Sequence, residues 1–135
     1  MKTKIINVVF LISLSILLSC SGRDDGFQSD DSFVLSPIDE SLMKISAPSR
    51  NETLEPGTTL KVKWSFPSNI HSVQITLYRK REFKAVLSVM CENTGYYEWT
   101  IPADFPNSVH YRVNIAVYDN LDINKFSEYF FILKQ

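Results

Sequence analysis

The stretch LKVKWSF, residues 60–66, decides the fold of this chain. Its apolar residues occupy every second position, which is the pattern of a β-strand that buries one face. Pro56-Gly57 stands in front of it and suits a type II turn, because proline presets φ at one central position and glycine tolerates positive φ at the next. The stretch therefore predicts a half-buried strand entered from a tight turn.

Six other segments continue this pattern over the rest of the chain. They cover residues 43–47, 73–78, 83–89, 97–101, 109–117 and 126–133. Turn-forming residues separate them at intervals of about eight to twelve residues, and no segment keeps a helical period. Regular short strands of this kind predict a seven-stranded antiparallel β-sandwich of the immunoglobulin or fibronectin III type. In such folds a tyrosine placed like Tyr111, near the start of the sixth strand, bonds back to the preceding loop.

The first twenty residues predict where the protein goes. Two lysines precede an apolar run over residues 5–18. As a helix this run covers about 21 Å, less than the roughly 30 Å of a hydrocarbon core. LLSC, residues 17–20, resembles the lipobox of bacterial lipoproteins. We expect residues 1–19 to be a cleaved signal peptide and Cys20 to carry the lipid that anchors the chain in a membrane; the alternative is an uncleaved N-terminal anchor.

Removal of residues 1–19 leaves a mildly acidic chain of 116 residues. Two of the fourteen basic residues and none of the fifteen acidic residues lie in the removed segment, so twelve bases face fifteen acids. Because nucleic-acid binding needs a basic face, this balance predicts no nucleic-acid partner. With Cys20 lipidated, Cys91 has no disulfide partner within the chain, and we expect it to be a small buried hydrophobe.

A polar segment follows the anchor. Residues 21–32 contain four aspartates and a single large apolar residue, too little to build a core. We therefore expect residues 20–40 to be a flexible acidic tether and residues 41–135 to be one domain. The Asp24-Asp25 pair resembles the signals that send some bacterial lipoproteins to the cell surface. The sequence thus predicts a lipid anchor in the outer membrane, with the periplasmic and the surface face both open.

Several short motifs in one order resemble a known family. They are ISAP at residues 45–48, LEPG at 54–57, VKW at 62–64, VQITLY at 73–78, GYYEWTIP at 95–102, YRV at 111–113 and SEYFFI at 127–132. Together they resemble the Ser/Thr-rich GPI-anchored membrane family, the N-terminal domain of the yeast cell-wall Knh-type glucan-synthesis proteins, over roughly residues 44–133. The resemblance implies an extracellular immunoglobulin-like module, and it carries no catalytic residues to this sequence.

Motifs for catalysis, metals and cofactors are missing from the sequence. His71 and His110 have no neighbours at metal-ligand spacing, and no phosphate-binding glycine loop or nucleophile motif occurs. We therefore expect no catalytic residue, no metal and no cofactor. The alternative is an accessory protein or hydrolase of envelope polysaccharide, which would need a carboxylate pair across a sugar-lining cleft. The acidic residues considered for that pair are Glu92, Glu98, Asp104 and Glu128.

A binding surface is the leading functional hypothesis from the sequence. In the predicted topology the third, sixth and seventh strands share a sheet, and aromatic side chains follow its outward positions. The outward residues are Tyr78, Arg112, Tyr118, Tyr129 and Phe131. Exposed rings of this kind suit contact with a protein or a glycan partner. The competing interpretation is cross-strand packing that only stabilises the sheet.

Overall fold

The computed structural model describes residues 36–135. The predicted signal peptide, the lipidation site at Cys20 and the tether as far as residue 35 lie outside the described residues. A short 3₁₀-helix over Glu40–Leu42 precedes the strands. In chain order these are β1 Lys44–Ala47, β2 Thr53–Leu54, β3 Thr59–Ser65, β4 Ser72–Arg79, β5 Glu82–Glu92, β6 Tyr96–Thr100, β7 Ser108–Val117, β8 Asn120–Phe126 and β9 Phe130–Ile132.

Two sheets make up the domain. The smaller sheet has the order β1-β3-β6. The larger sheet has the order β2-β9-β7-β4-β5, and β8 pairs with β7 beside it. All pairs are antiparallel except β2 with β9. This is the two-sheet architecture of an immunoglobulin-like sandwich, as the sequence predicts.

The core lies between the inward faces of the two sheets. β3 alternates between exposed and buried positions along its whole length, with Leu60, Val62 and Trp64 buried, so the strand that decides the fold is confirmed. β7 places Tyr111, Val113 and Ile115 fully inside. Ile38 also packs against the core, ahead of the predicted domain start at residue 41. Burial of these side chains supplies the main driving force for folding.

Tyr111 makes the bond that its position predicts. Its Oη donates a hydrogen bond of 2.6 Å to the carbonyl of Pro106, in the loop before β7. The ring is fully buried, with the ring of Phe105 at 5.4 Å and that of Phe130 at 6.3 Å. Burial raises the pKa of the Tyr111 hydroxyl above its ordinary value. The loop is thereby tied to the interior of the sandwich.

Asn93 joins the two sheets at the end of the sandwich where β5 passes to β6. Its Oδ1 accepts a hydrogen bond of 2.8 Å from the indole of Trp64, and its Nδ2 donates to the carbonyls of Ile70 and Pro67 at 2.9 and 3.2 Å. Gly95 closes the same turn with φ of 87°, and a Cβ there would stand 2.8 Å from the carbonyl oxygen of Trp64. Asn93 and Gly95 therefore form a joint that links the two sheets through hydrogen bonds and a close backbone contact.

The predicted count of seven strands is wrong, since the described residues form nine. β2 has two residues, too few for a periodic pattern to reveal. Of the predicted closing strand over 126–133, Phe130–Ile132 forms β9, whereas Phe126 ends β8, which begins at Asn120; the chain leaves the ladder between the two. There the hydroxyl of Ser127 accepts a hydrogen bond from the Val113 N–H, and the Ser127 N–H donates to the Val113 carbonyl, each at 2.8 Å. Ser127 thus replaces a regular strand partner.

β5 is longer than predicted and less regular. Its pairing with β4 shifts register at three places. These irregularities break the alternation, so that Leu87 is buried while Phe83 and Val89 are exposed. The strand forms one edge of the larger sheet. The Tyr97 hydroxyl of β6 donates to the Leu87 carbonyl at 2.7 Å, which fastens this edge to the smaller sheet.

Candidate functional site

The outward side of the larger sheet carries a group of side chains that touch one another. We call it the aromatic face and define it as Tyr78, Phe83, Arg112, Phe126 and Tyr129. The residues come from β4, β5, β7, the end of β8 and the link to β9. The register explains their grouping, because Tyr78 is paired with Phe83 on one side and with Arg112 on the other. Side chains opposite one another on neighbouring strands share a face.

The rings meet edge to face around Tyr78. Its ring centroid lies 6.0 Å from that of Phe83 and 5.4 Å from that of Phe126, with interplanar angles of 83° and 80°. Such T-shaped pairs are worth about 0.5–1.5 kcal/mol beyond their buried area. Because Phe83 and Phe126 flank Tyr78 from two different strands, the rings form a connected surface across the sheet.

Arg112 holds the other end of the aromatic face. Its guanidinium carbon lies 3.9 Å above the centre of the Phe126 ring and 5.3 Å from the centre of the Tyr129 ring. Its Nε donates a hydrogen bond of 3.2 Å to the carbonyl of Lys80. The planar guanidinium therefore stacks on aromatic rings while its position is fixed by the backbone.

A shallow groove of about 390 Å³ runs beside these rings. Polar groups of Gln74, Thr76 and Asn114 line it between the aromatic side chains. Asn114 Nδ2 donates to Asn124 Oδ1 at 2.8 Å, which orients both amides. The groove therefore combines apolar walls with a few fixed polar groups, the usual composition of a ligand site.

Three of the five residues predicted for this surface are brought together. Tyr78, Arg112 and Tyr129 belong to the aromatic face. Tyr118 is exposed beyond the far end of β7, six residues from Arg112 along an extended strand, or about 20 Å at 3.3 Å per residue. Phe131 is half-buried in β9, between β2 and β7. The rings that pack against Tyr78 are those of Phe83 and Phe126, and not those of Tyr118 or Phe131.

Phe83 and Phe126 are members that the sequence-based hypothesis missed. The signal for Phe83 was present, because strands ending at Arg79 and beginning at Glu82 leave a two-residue turn that pairs Tyr78 with Phe83. The signal for Phe126 was weaker. Its place depends on β8 beginning near residue 120, in a segment whose polar residues predict a turn.

The residues considered for chemistry are dispersed. Glu98 lies on the smaller sheet, whereas Glu128 lies in the link between β8 and β9 of the larger one. Cys91 is half-buried, and burial raises the pKa of its thiol, which disfavours the thiolate. His110 is exposed, with its ring 6.1 Å from that of Tyr129. Among residues 36–135, no three side chains of His, Cys, Asp or Glu gather where they could hold a metal ion.

Comparison with known families decides the affiliation of the chain. The sequence model of the Kre9/KNH-like N-terminal Ig-like domain matches residues 47–132, from the last residue of β1 to the last residue of β9. The chain belongs to this family. A search of curated proteins found no match.

Membership of the Kre9/KNH-like family agrees with the two-sheet architecture and confirms the resemblance at the level of an immunoglobulin-like domain. The matched region contains the whole aromatic face. In the part of the chain that the structure describes, no helix has the length and apolar character needed to cross a bilayer.

Proposed function

We propose that this protein is a lipid-anchored module of the bacterial cell envelope that binds a glycan or protein partner and catalyses no reaction. In this proposal the lipid on Cys20 holds it in the outer membrane, on the periplasmic or the surface side. The acidic tether spaces the domain from the lipid, and the aromatic face makes the contact with the partner.

The exposure of the aromatic face is the observation that carries the binding role. Phe83 is 54% exposed, Tyr129 38% and Phe126 37%, although all three pack against neighbouring side chains. Rings of this kind bury a large area at small entropic cost when a partner covers them. A contiguous exposed apolar surface on a soluble domain marks an interaction site more often than isolated apolar residues do.

The groove beside the rings favours a glycan among the two classes of partner. A sugar ring offers apolar C–H faces that stack on aromatic side chains, and hydroxyl groups that need hydrogen-bond partners. Gln74 offers a half-buried amide at the groove that Tyr78 and Phe126 line, and the largely buried Thr76 and Asn114 add polar groups to the same lining. Protein partners would gain less from these polar groups, because each one that stays unpaired on burial costs about 1–3 kcal/mol.

One substitution separates binding from mere stabilisation of the sheet. Phe83→Ser removes the most exposed ring of the aromatic face, and Tyr96→Ser removes a ring that is 43% exposed on the smaller sheet. The full chain, purified in detergent, is titrated with the insoluble cell-envelope fraction. We expect Phe83→Ser to weaken binding at least about fivefold, a loss above 1 kcal/mol, and Tyr96→Ser to leave it unchanged. Equal binding by both folded variants would contradict the proposed surface.

The anchor has a test of its own. We expect mass spectrometry of the mature chain to begin at Cys20 with acyl groups on that residue, and Cys20→Ser to release the protein from the membrane fraction. A mature chain that keeps residues 1–19 would contradict the anchor without bearing on the aromatic face. Protease treatment of intact cells then assigns the periplasmic or the surface side.

A further inference from the structure

Three consecutive bases stand where β4 turns into β5: Arg79 ends β4, and Lys80 and Arg81 form the turn. They line an open pocket of about 790 Å³ that adjoins the aromatic face. The remaining lining residues are Glu82, Ser108, His110 and Tyr129. Tyr129 belongs to both regions, since its ring contacts His110 on one side and the guanidinium of Arg112 on the other. The basic pocket is therefore a continuation of the proposed binding surface.

Positive charge exceeds negative charge in the basic pocket. Glu82 is the single acidic residue that lines it within the described chain. Its carboxylate lies 3.5 Å from Arg79 Nη2 and 2.9 Å from Lys84 Nζ, so one acid is shared between two bases. The hydrogen bond and charge of Lys84, with the charge of Arg79, hold the pKa of Glu82 below its usual value. Lys80 and Arg81 have no ion-pair partner among residues 36–135.

The pocket pairs this charge with an aromatic ring. Tyr129 presents a partly exposed ring with His110 at its edge, while Ser108 adds a hydroxyl. Arginine binds a carboxylate with two parallel hydrogen bonds, and an aromatic ring accepts the apolar face of a sugar. A sugar that bears a carboxylate matches both features. An acidic peptide matches only the charge.

The basic pocket lies at the end of the domain opposite to its first residues. The carbonyl of Ser36 accepts a hydrogen bond of 3.0 Å from Asn69 Nδ2, close to the start of β4 at Ser72. The bases stand at the other end of β4, which is about 23 Å away at 3.3 Å per residue. The three bases and the first described residues therefore lie near opposite ends of β4.

We propose that the basic pocket binds the carboxylate of an acidic saccharide, so that the partner is a polysaccharide containing uronic-acid units. This inference rests on the proposed glycan-binding function and names the class of glycan. The neutral part of the polysaccharide lies along the groove beside Tyr78 and Phe126. A carboxylate at one end lies among Arg79, Lys80 and Arg81.

Oligogalacturonate and its fully methyl-esterified form test the proposal, because they differ in charge but not in sugar. Both are titrated into the full chain in detergent by calorimetry. Lys80→Asn with Arg81→Gln removes two bases, and asparagine suits the φ of 56° at residue 80. Lys61→Gln with Lys63→Gln is the matched control, since both lysines are exposed on β3 of the smaller sheet.

We expect the acid form to bind about tenfold more tightly than the ester, because two or more charge pairs are lost with the ester. The turn variant lowers affinity for the acid form by about the same factor and leaves affinity for the ester unchanged, whereas the control variant changes neither. Raising the salt concentration weakens binding of the acid form only.

Several results would overturn the inference. They are equal affinity for acid and ester, no binding of either, tighter binding of polyglutamate than of oligogalacturonate, and displacement by inorganic phosphate at equal concentration. None of them touches the broader proposal, which depends on the loss of envelope binding by Phe83→Ser. Conversely, unchanged envelope binding by Phe83→Ser would contradict the broader proposal, whatever affinity is measured for oligogalacturonate.

Discussion

The outward faces of the two sheets differ although both cover the same core. On the smaller sheet, Lys61 stands opposite Glu98 and Lys63 opposite Tyr96, and all four are exposed. On the larger sheet, outward residues such as Thr76 and Asn114 are buried, because they lie beside the rings of Tyr78, Phe83 and Phe126. One face meets water with charges, and the other covers its strands with aromatic side chains.

This difference can be read in the strand patterns. β3 has a strict alternation of exposed and buried residues, and its outward side chains are ordinary surface residues. β4 has no fully exposed residue at all. A strand whose outward positions are also sheltered belongs to a face with a further role, either in packing or in binding. Substitutions on the two faces distinguish packing from binding, because each role predicts a different loss of stability and of affinity.

The largest loss of stability should come from Asn93, which links the two sheets at one end of the sandwich. Asn93→Ala leaves the Trp64 indole N–H and the carbonyls of Ile70 and Pro67 without their partner, so we expect a loss of about 3 kcal/mol in the free energy of unfolding. Urea denaturation followed by tryptophan fluorescence measures it. Thr94→Ala, at the exposed neighbour, should cost less than about 0.5 kcal/mol. Similar losses for the two variants would mean that the hydrogen bonds of the Asn93 side chain do not hold this end of the sandwich together.

An intermediate effect should distinguish the two outward faces. Phe126→Ala removes the ring between Tyr78 and Arg112, and we expect it to cost about 1–2 kcal/mol. Tyr96→Ala on the smaller sheet removes a ring whose hydroxyl donates to Glu98 at the surface, and should cost less than about 0.5 kcal/mol. Both values come from the same denaturation experiment. Equal costs would remove the structural contrast between the faces.

The smallest effect should come from Tyr118. The sequence places it with the binding residues, but it lies beyond the far end of β7 and is 42% exposed. We expect Tyr118→Ala to change the unfolding free energy by less than about 0.5 kcal/mol and to leave envelope binding at the parent level. A clear loss of binding would extend the proposed surface along β7 and would contradict the boundary given to the aromatic face.

The sequence predicts those parts of the fold that depend on regular alternation. β3 and most of β7 are confirmed, with inward residues from Leu60 to Trp64 and from Tyr111 to Val117. Tyr111 is also confirmed, since the bond it makes spans only five residues of chain. Local patterns succeed where the physical cause is local.

The remaining features depend on contacts between distant segments. The register shifts in β5 arise from its pairing with β4, and no pattern in the sequence of β5 predicts them. The role of Asn93 requires Trp64, which is 29 residues away. Phe126 joins the aromatic face only because β8 pairs with the C-terminal half of β7, which places Phe126 opposite Asn114. A single sequence holds no direct signal for such long-range pairing.

Photo-crosslinking in living cells tests the central claim, that the aromatic face and not the opposite face meets the partner. A benzophenone amino acid replaces Phe83 in one strain and Tyr96 in a second, since both positions are exposed and lie on different sheets. After irradiation, we predict slower-migrating adducts of the full chain from position 83 and none from position 96. Adducts from position 96 alone, or in equal amounts from both positions, would contradict the account.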